Sequence, residues 1–179
     1  SSNNSVATVN EKGEVTVVGV GETIITATAA ETTNYKLGTA SYTLTVNKAR
    51  VHIVQATVAD KDYDGNVNAD VTGVVFANEA DVRIDGLVAG TDYTVTGAFL
   101  SENAGKQDAE VTVKLLGDFN SHYELTGGTY KTRATITAKP ISIATALTQD
   151  RSYERNNTSV TILGVTFKDS TGTTVTTLT

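Results

Sequence analysis

An all-β chain of tandem two-layer sandwich modules in a linear array is the fold class this sequence predicts, and three observations predict it. Short runs of alternating Val, Ile, Thr and Ala recur between clusters of Gly, Asn and Asp; branching at Cβ packs well on a pleated surface, and the clusters supply turns. There is one proline and no run of helical periodicity. Finally, residues 53–76 return about half a chain later. Ile53, Ala56, Asp60, Tyr63 and Asn66 return as Ile143, Ala146, Asp150, Tyr153 and Asn156 at constant offset (153 − 63 = 90). After one inserted residue, Gly73-Val74-Val75-Phe76 returns as Gly164-Val165-Thr166-Phe167 (167 − 76 = 91). A period of this size marks an array of modules.

The elements follow in order. Residues 5–9 alternate as a strand, Asn10-Glu11-Lys12-Gly13 supplies a turn, and residues 15–18 return as the hairpin partner. Residues 23–29 place Ile25, Ala27 and Ala29 on one face and Ile24, Thr26 and Thr28 on the other. Residues 34–38 form a loop, and in the strand at 41–46 Tyr42, Leu44 and Val46 share a face. A junction at 48–50 leads to a strand opening at Val51-His52-Ile53-Val54. Residues 60–70 are polar and loop-like; 71–76, 81–84 and 91–96 read as strands, and 101–108 as a loop. Residues 109–115 turn Val111, Val113 and Leu115 inward and Thr112 and Lys114 outward. Strands at 122–125 and 130–137 flank Gly127-Gly128, which reads as a tight hairpin turn. Lys139-Pro140 opens the second copy, which reaches Leu178, the counterpart of Leu87. The equivalent of 91–96 and everything after it is absent from the sequence, as expected of a segment of a longer chain, or of modules completed by strands from neighbouring chains. The divisions are 1–47, 48–138 and 139–179. Junctions of a few residues predict partly stiff neighbours.

Composition narrows the function classes. The net charge of −6 leaves no electrostatic footprint for nucleic acid. No stretch approaches the roughly 20 apolar residues that span a bilayer, so no membrane insertion is expected. With no cysteine there is no disulfide, thiolate metal site or thiol chemistry. A cysteine-free, acidic chain rich in Thr and Gly resembles exported bacterial surface protein.

Two families are recognisable in particular residues. Ser1-Ser2-Asn3, Ser5-Val6-Ala7-Thr8-Val9, Gly13-Glu14-Val15-Thr16, Gly19-Val20-Gly21, Thr23-Ile24-Ile25-Thr26-Ala27-Thr28 and Tyr42-Thr43-Leu44-Thr45-Val46 resemble the C-terminal half of a bacterial immunoglobulin-like domain of group 2. That family's first strands have no counterpart here. Residues 48–138 look like one complete bacterial YDG-type repeat, carried by Asp60-Lys61-Asp62-Tyr63-Asp64-Gly65, Gly90-Thr91-Asp92-Tyr93-Thr94-Val95, Asn103-Ala104-Gly105, Val111-Thr112-Val113 and Ala138-Lys139-Pro140-Ile141. Residues 139–179 resemble a partial second one, with Glu154-Arg155 after Tyr153 in place of Asp64-Gly65. The resemblance implies immunoglobulin-like modules in a cell-surface or secreted bacterial protein: a non-catalytic stalk, spacer or fibre segment. Its expected partners are neighbouring modules of the same or adjacent chains. The alternatives are a module binding a glycan or host protein, or an accessory segment of an extracellular polysaccharide-active enzyme. Neither family pattern contains catalytic residues, so none is carried over, and no cofactor is expected.

Candidate sites are weighed against plainer roles. Asp60, Asp62, Asp64, Gly65 and Asn68 match positions of a calcium loop, but Val71 stands where the bidentate acid belongs. In the second copy Asp150, Ser152 and Glu154 lack the glycine. The plainer reading is a turn in which Tyr63 packs and Asp64-Gly65 shapes the backbone. His52 and His122 could form a metal or catalytic pair, or be structural. Neither a Gly-x-Ser-x-Gly elbow nor a His-Glu-x-x-His helix occurs. Tyr35, Tyr123, Tyr130 and Tyr153 could stack on sugars; packing with the hydroxyl satisfied is the favoured role. Lys48, Lys114 and Lys139 lie in or beside strands, where a Lys–Asn cross-link would show as loss of one ammonia.

Overall fold

The computed structural model describes residues 1–175. The described chain is all-β apart from one short helix, and its sixteen strands form five sheets. The match of Leu178 to Leu87 lies outside the described residues.

Two hairpins come first: β1 (Ala7–Val9) with β2 (Val15–Val17), and β3 (Gly21–Ala29) with β4 (Gly38–Val46). Thr23 ties the N-terminus to β3: its hydroxyl accepts from the Asn3 amide at 2.9 Å and lies 2.8 Å from Ser1 Oγ. Thr23 and Ile25 are buried while Ile24 is exposed, as the alternation of residues 23–29 predicts.

Residues 49–137 form a sandwich-like pair of sheets. One sheet runs β12 (Tyr123–Leu125), β5 (Ala49–Val58), β8 (Val71–Asn78), β9 (Arg83–Ile84). The other runs β6 (Lys61–Asp62), β13 (Thr129–Thr137), β11 (Gly105–Leu115), β10 (Tyr93–Phe99), β7 (Asn68–Ala69). Ile53, Ala56 and Phe76 of the first sheet pack with Tyr93, Val111 and Val113 of the second. Phe76 meets Tyr93 edge-on with ring centroids 5.0 Å apart, a favoured aromatic geometry.

Within β5, Ile53 and Ala56 both face the core although they are three residues apart. Strict alternation would set them on opposite faces. A bulge at Val54 resolves this: Ile53 pairs with Phe76, but Gln55 pairs with Val75. The extra residue resets the inward face.

The third sheet contains β14 (Ile141–Thr148), β15 (Ile162–Asp169) and β16 (Thr174–Val175). It repeats the β5–β8–β9 ladder register for register. Ile53↔Phe76 becomes Ile143↔Phe167, and the shift between Ile53 and Gln55 becomes one between Ile143 and Thr145. A second irregularity between Thr57 and Val58 returns between Leu147 and Thr148. Phe76↔Ile84 returns as Phe167↔Val175. The turn after β8 is copied too. The Asn78 side chain accepts from the amides of Ala80 and Val82, as Asp169 accepts from those of Thr171 and Thr173.

Several expectations are corrected. Gly127-Gly128 is not a hairpin turn: β12 pairs parallel with β5 in one sheet, while β13 pairs with β11 in the other. The glycines carry the chain between sheets, where Gly128 passes its carbonyl to the Val113 amide at 2.8 Å. His122 lies not in a strand but at the end of helix α1 (Gly117–His122), whose Phe119 is buried. Six residues are too few for a periodic pattern to register. Asp81 is a turn residue with φ +58°, so strand β9 begins only at Arg83. Thr91 and Asp92 belong to a turn before β10, and the loop at 101–108 yields to strand β11 from Gly105 because Gly105 already pairs with Ile136.

Candidate functional site

The loop after β5 holds most of the acidic candidates, and its geometry is organised by Lys61. The Lys61 ammonium lies 2.7 Å from Asp64 Oδ1, 2.9 Å from the Asn66 carbonyl, 3.0 Å from Asn66 Oδ1 and 3.1 Å from the Asn68 carbonyl. It also sits 5.8 Å from the centroid of Phe99. Oxygens that a calcium loop would turn on a metal are thus turned on an internal cation. Asp60 is drawn elsewhere, its carboxylate accepting from the Thr135 amide at 2.6 Å. Asp62 belongs to β6, opposite Thr137, and Val71 starts β8. Among the described residues no group of three or more His, Cys, Asp or Glu is placed to hold a metal ion. The Lys61 hydrogen bond, the largest influence, holds the Asp64 carboxyl below its ordinary value. Lys61 and Asn66 meet through hydrogen bonds to the Asn66 backbone and side-chain carbonyls.

The second copy rebuilds this clamp with different residues. Arg151 stands where Lys61 stands and donates to the carbonyls of Asn157 and, at 2.8 Å, Ser159. Asn157 Oδ1 accepts from the Ser159 amide as Asn66 Oδ1 accepts from the Asn68 amide. The structural counterpart of Asn66 is therefore Asn157, not Asn156, and the inserted residue lies ahead of it. Asn156, with φ +76°, takes the place of Gly65, with φ +75°. Asparagine is among the few side-chain-bearing residues that tolerate this region. Asp150 and Ser152 are exposed, and Glu154 accepts from the Asn157 side chain at 3.1 Å.

The remaining candidates are dispersed. His52 Nε2 lies 3.1 Å from Asp81, whereas His122 Nδ1 lies 2.9 Å from the Asp118 carbonyl, so each ring answers to a different partner. Tyr123 stacks on Phe119 at 4.4 Å and Tyr130 packs against the core, while Tyr35 and Tyr153 are exposed in different parts of the chain. Lys48 reaches the backbone carbonyl of Asn120 rather than its side chain, Lys114 is exposed on β11, and Lys139 lies 4.0 Å from Asp169.

What the structure does bring together is a crevice of about 430 Å³ where the first repeat hands over to the second. Tyr63, Asp64, Asn103 and Ala104 line it from one side, Lys139 and Asp169 from the other. A second crevice, of about 740 Å³, lies at the start of the first repeat against Lys48, Ala49 and Asn78. Those three positions correspond by the repeat to Ala138, Lys139 and Asp169, which line the other. In the sequence Asn103-Ala104 and Lys61 stand out only as parts of the YDG-type pattern, with no place in a site. The signal for Lys61 was its recurrence as a basic residue at Arg151.

No family model, curated protein or solved structure matches the chain. Among the described residues no helix is long and apolar enough to cross a membrane.

Proposed function

We propose that this chain is a non-catalytic structural segment of a bacterial cell-surface or secreted multi-domain protein, built from immunoglobulin-like modules and YDG-type repeats and serving as stalk, spacer or fibre. The observation that carries this reading is the repeated ladder. Two copies of one strand pattern, bulges included, follow each other with only Ala138, Lys139 and Pro140 between β13 and β14. Such an arrangement extends reach by repetition, with stability local to each module and its neighbours. The carboxylates support the same reading: Asp64, Asp108 and Asp169 are each held by a nearby cation, hydroxyl or backbone amide.

Single-molecule extension of the chain tests the reading. The expected trace is a discrete unfolding event for residues 49–137, and a glycan array probed with the same chain is expected to stay blank. The alternative, a module for a glycan or host protein, rests on the crevice lined by Tyr63, Asp64 and Asn103, an aromatic beside polar groups. Saturable glycan binding lost in Tyr63→Ala would replace the spacer reading with that one.

A further inference from the structure

We infer that the Tyr63–Gly65 turn and the Asn103–Ala104 turn form the receiving pole on which the following repeat of the same chain seats, so that the resemblance-bearing loop is a module coupler. The inference rests on the spacer reading and names the partner of its junction.

Four observations converge on it. The first is placement. β6 runs parallel to the end of β13, with Lys61 opposite Ile136 and Asp62 opposite Thr137. The Tyr63 amide then donates to the Thr137 carbonyl at 2.8 Å. The loop is thus hydrogen-bonded to the last strand residue before the chain leaves the module. The hairpin between β10 and β11 reaches the same end, because Gly105 pairs with Ile136.

Rigidity is the second. The loop that carries the Tyr63–Gly65 turn is held in one shape. It is fixed by the Lys61 ammonium, whose side chain is only 18% exposed, and by Asx-type bonds from Asp64 and Asn66. Arg151 rebuilds the lock in the next copy. What persists is the shape of the backbone, while the side chains that make it differ; shape is what a docking surface conserves.

The third is the linker. Three residues between strands span at most about 14 Å over four virtual bonds, and Pro140 fixes one φ angle. The exit pole of one repeat and the entry pole of the next are therefore held face to face by covalent geometry. The entry pole consists of the start of β14 and the turn after β15, and Ile141, Asp169 and Val175 line the crevice opposite Tyr63 and Asn103.

The fourth is recurrence. The crevice at Lys48, Ala49 and Asn78 sits on the equivalent entry pole of the first repeat. There residues 1–47 take the part of the preceding module, and a Cβ on Gly19 would come within 3.9 Å of His122 Nε2. Of residues 1–47 only Asn47 lines that crevice, so what recurs is the polar entry pole itself, presented once to each preceding segment.

Residual dipolar couplings of the full 179-residue chain in one alignment medium test the inference. Amides of residues 49–137 and 141–175 are expected to fit a single alignment tensor. Ala104→Arg, a wedge placed on an exposed turn, is expected to split them into two tensors and to shift the amides of Ile141, Asp169 and Val175, with those of Phe76 and Val111 unmoved to show an intact sandwich. Two tensors in the unaltered chain would overturn the inference. So would a single tensor in Ala104→Arg with no shift at Ile141, Asp169 or Val175. A glycan array that lights up would defeat the spacer reading and leave the tensor result untouched, so the two failures are distinguishable.

Discussion

Lys61 and Arg151 occupy the same place in two copies and do the same work with different geometry. Both close a loop by donating to two backbone carbonyls. Lys61→Arg is therefore expected to leave stability nearly unchanged, whereas Lys61→Ala costs about 1 kcal/mol, the scale of a partly exposed set of charge-assisted hydrogen bonds. Urea unfolding monitored by tyrosine fluorescence checks both. The same clamp has a pH signature. The carboxyls of Asp64, Asp108 and Asp169 lie below their ordinary value because of Lys61, Arg133 and the Thr171 hydroxyl, respectively. Such groups bind fewer protons folded than unfolded, so their stabilisation is complete above the unfolded value near about pH 4 and is lost as pH falls through the lower folded values. A carboxyl carbon titration by NMR is expected to place all three below the ordinary aspartate value, and the amides of Asn66 and Asn68 are expected to move in step with Asp64. At Gly65 the positive φ sets a further expectation. Gly65→Asn is tolerated, as Asn156 already shows in the second copy, and Gly65→Val is not, because a β-branched side chain in that region is strained. Thermal melting distinguishes the two.

Among the elements, the β5–β8 and β14–β15 pairs share register and bulges but not surroundings. Phe76 is 1% exposed beneath the five-stranded sheet, and Ile53 beside it is buried. Ile143 is 66% exposed and every residue of β14 is exposed, because among the described residues no second sheet faces this ladder. The same difference in surroundings explains the loop between β14 and β15. β6 and β7 exist by pairing with β13 and β10, and their counterparts around Arg151 and Ser159 form no strand. Phe76→Ala is expected to cost about 3–5 kcal/mol, the usual range for emptying a buried aromatic site. Phe167→Ala is expected to cost a fraction of that, since its partly buried ring lies on a sheet with no facing sheet among the described residues and removing it leaves no closed cavity. Chemical denaturation of the two variants provides the comparison.

Across the whole molecule, stability is distributed unevenly. Residues 49–137 carry two facing sheets and a continuous core, with an aromatic chain from Tyr93 through Phe76 to Phe119 and Tyr123. Residues 141–175 carry one sheet with Ile143, Leu147, Ile162 and Leu163 more than half exposed. Amide hydrogen exchange is expected to reflect this, with slow exchange at Val111, Val113 and Ile136 and fast exchange at Ile143 and Leu147. Equal protection of the two sets would contradict the division.

Local pattern is written in the sequence alone. Alternation in 23–29 and 109–115 gave the right faces, and the offset between Ile53 and Ile143 announced a repeated ladder, because period-two side chains and turn residues act over a few positions. The three-residue spacing of Ile53 and Ala56 even encodes the bulge, since two inward residues so spaced need an extra residue between them. Tertiary structure decided the rest. Gly127-Gly128 looks the same in a hairpin as in a link between sheets, and only the competing partners β5 and β11 decide between them. Asp60, Asp62 and Asp64 read as converging ligands in one dimension, yet Thr135 takes the first, β6 the second and Lys61 the third. Convergence in space depends on which strands lie alongside a loop, and no local rule of sequence fixes that.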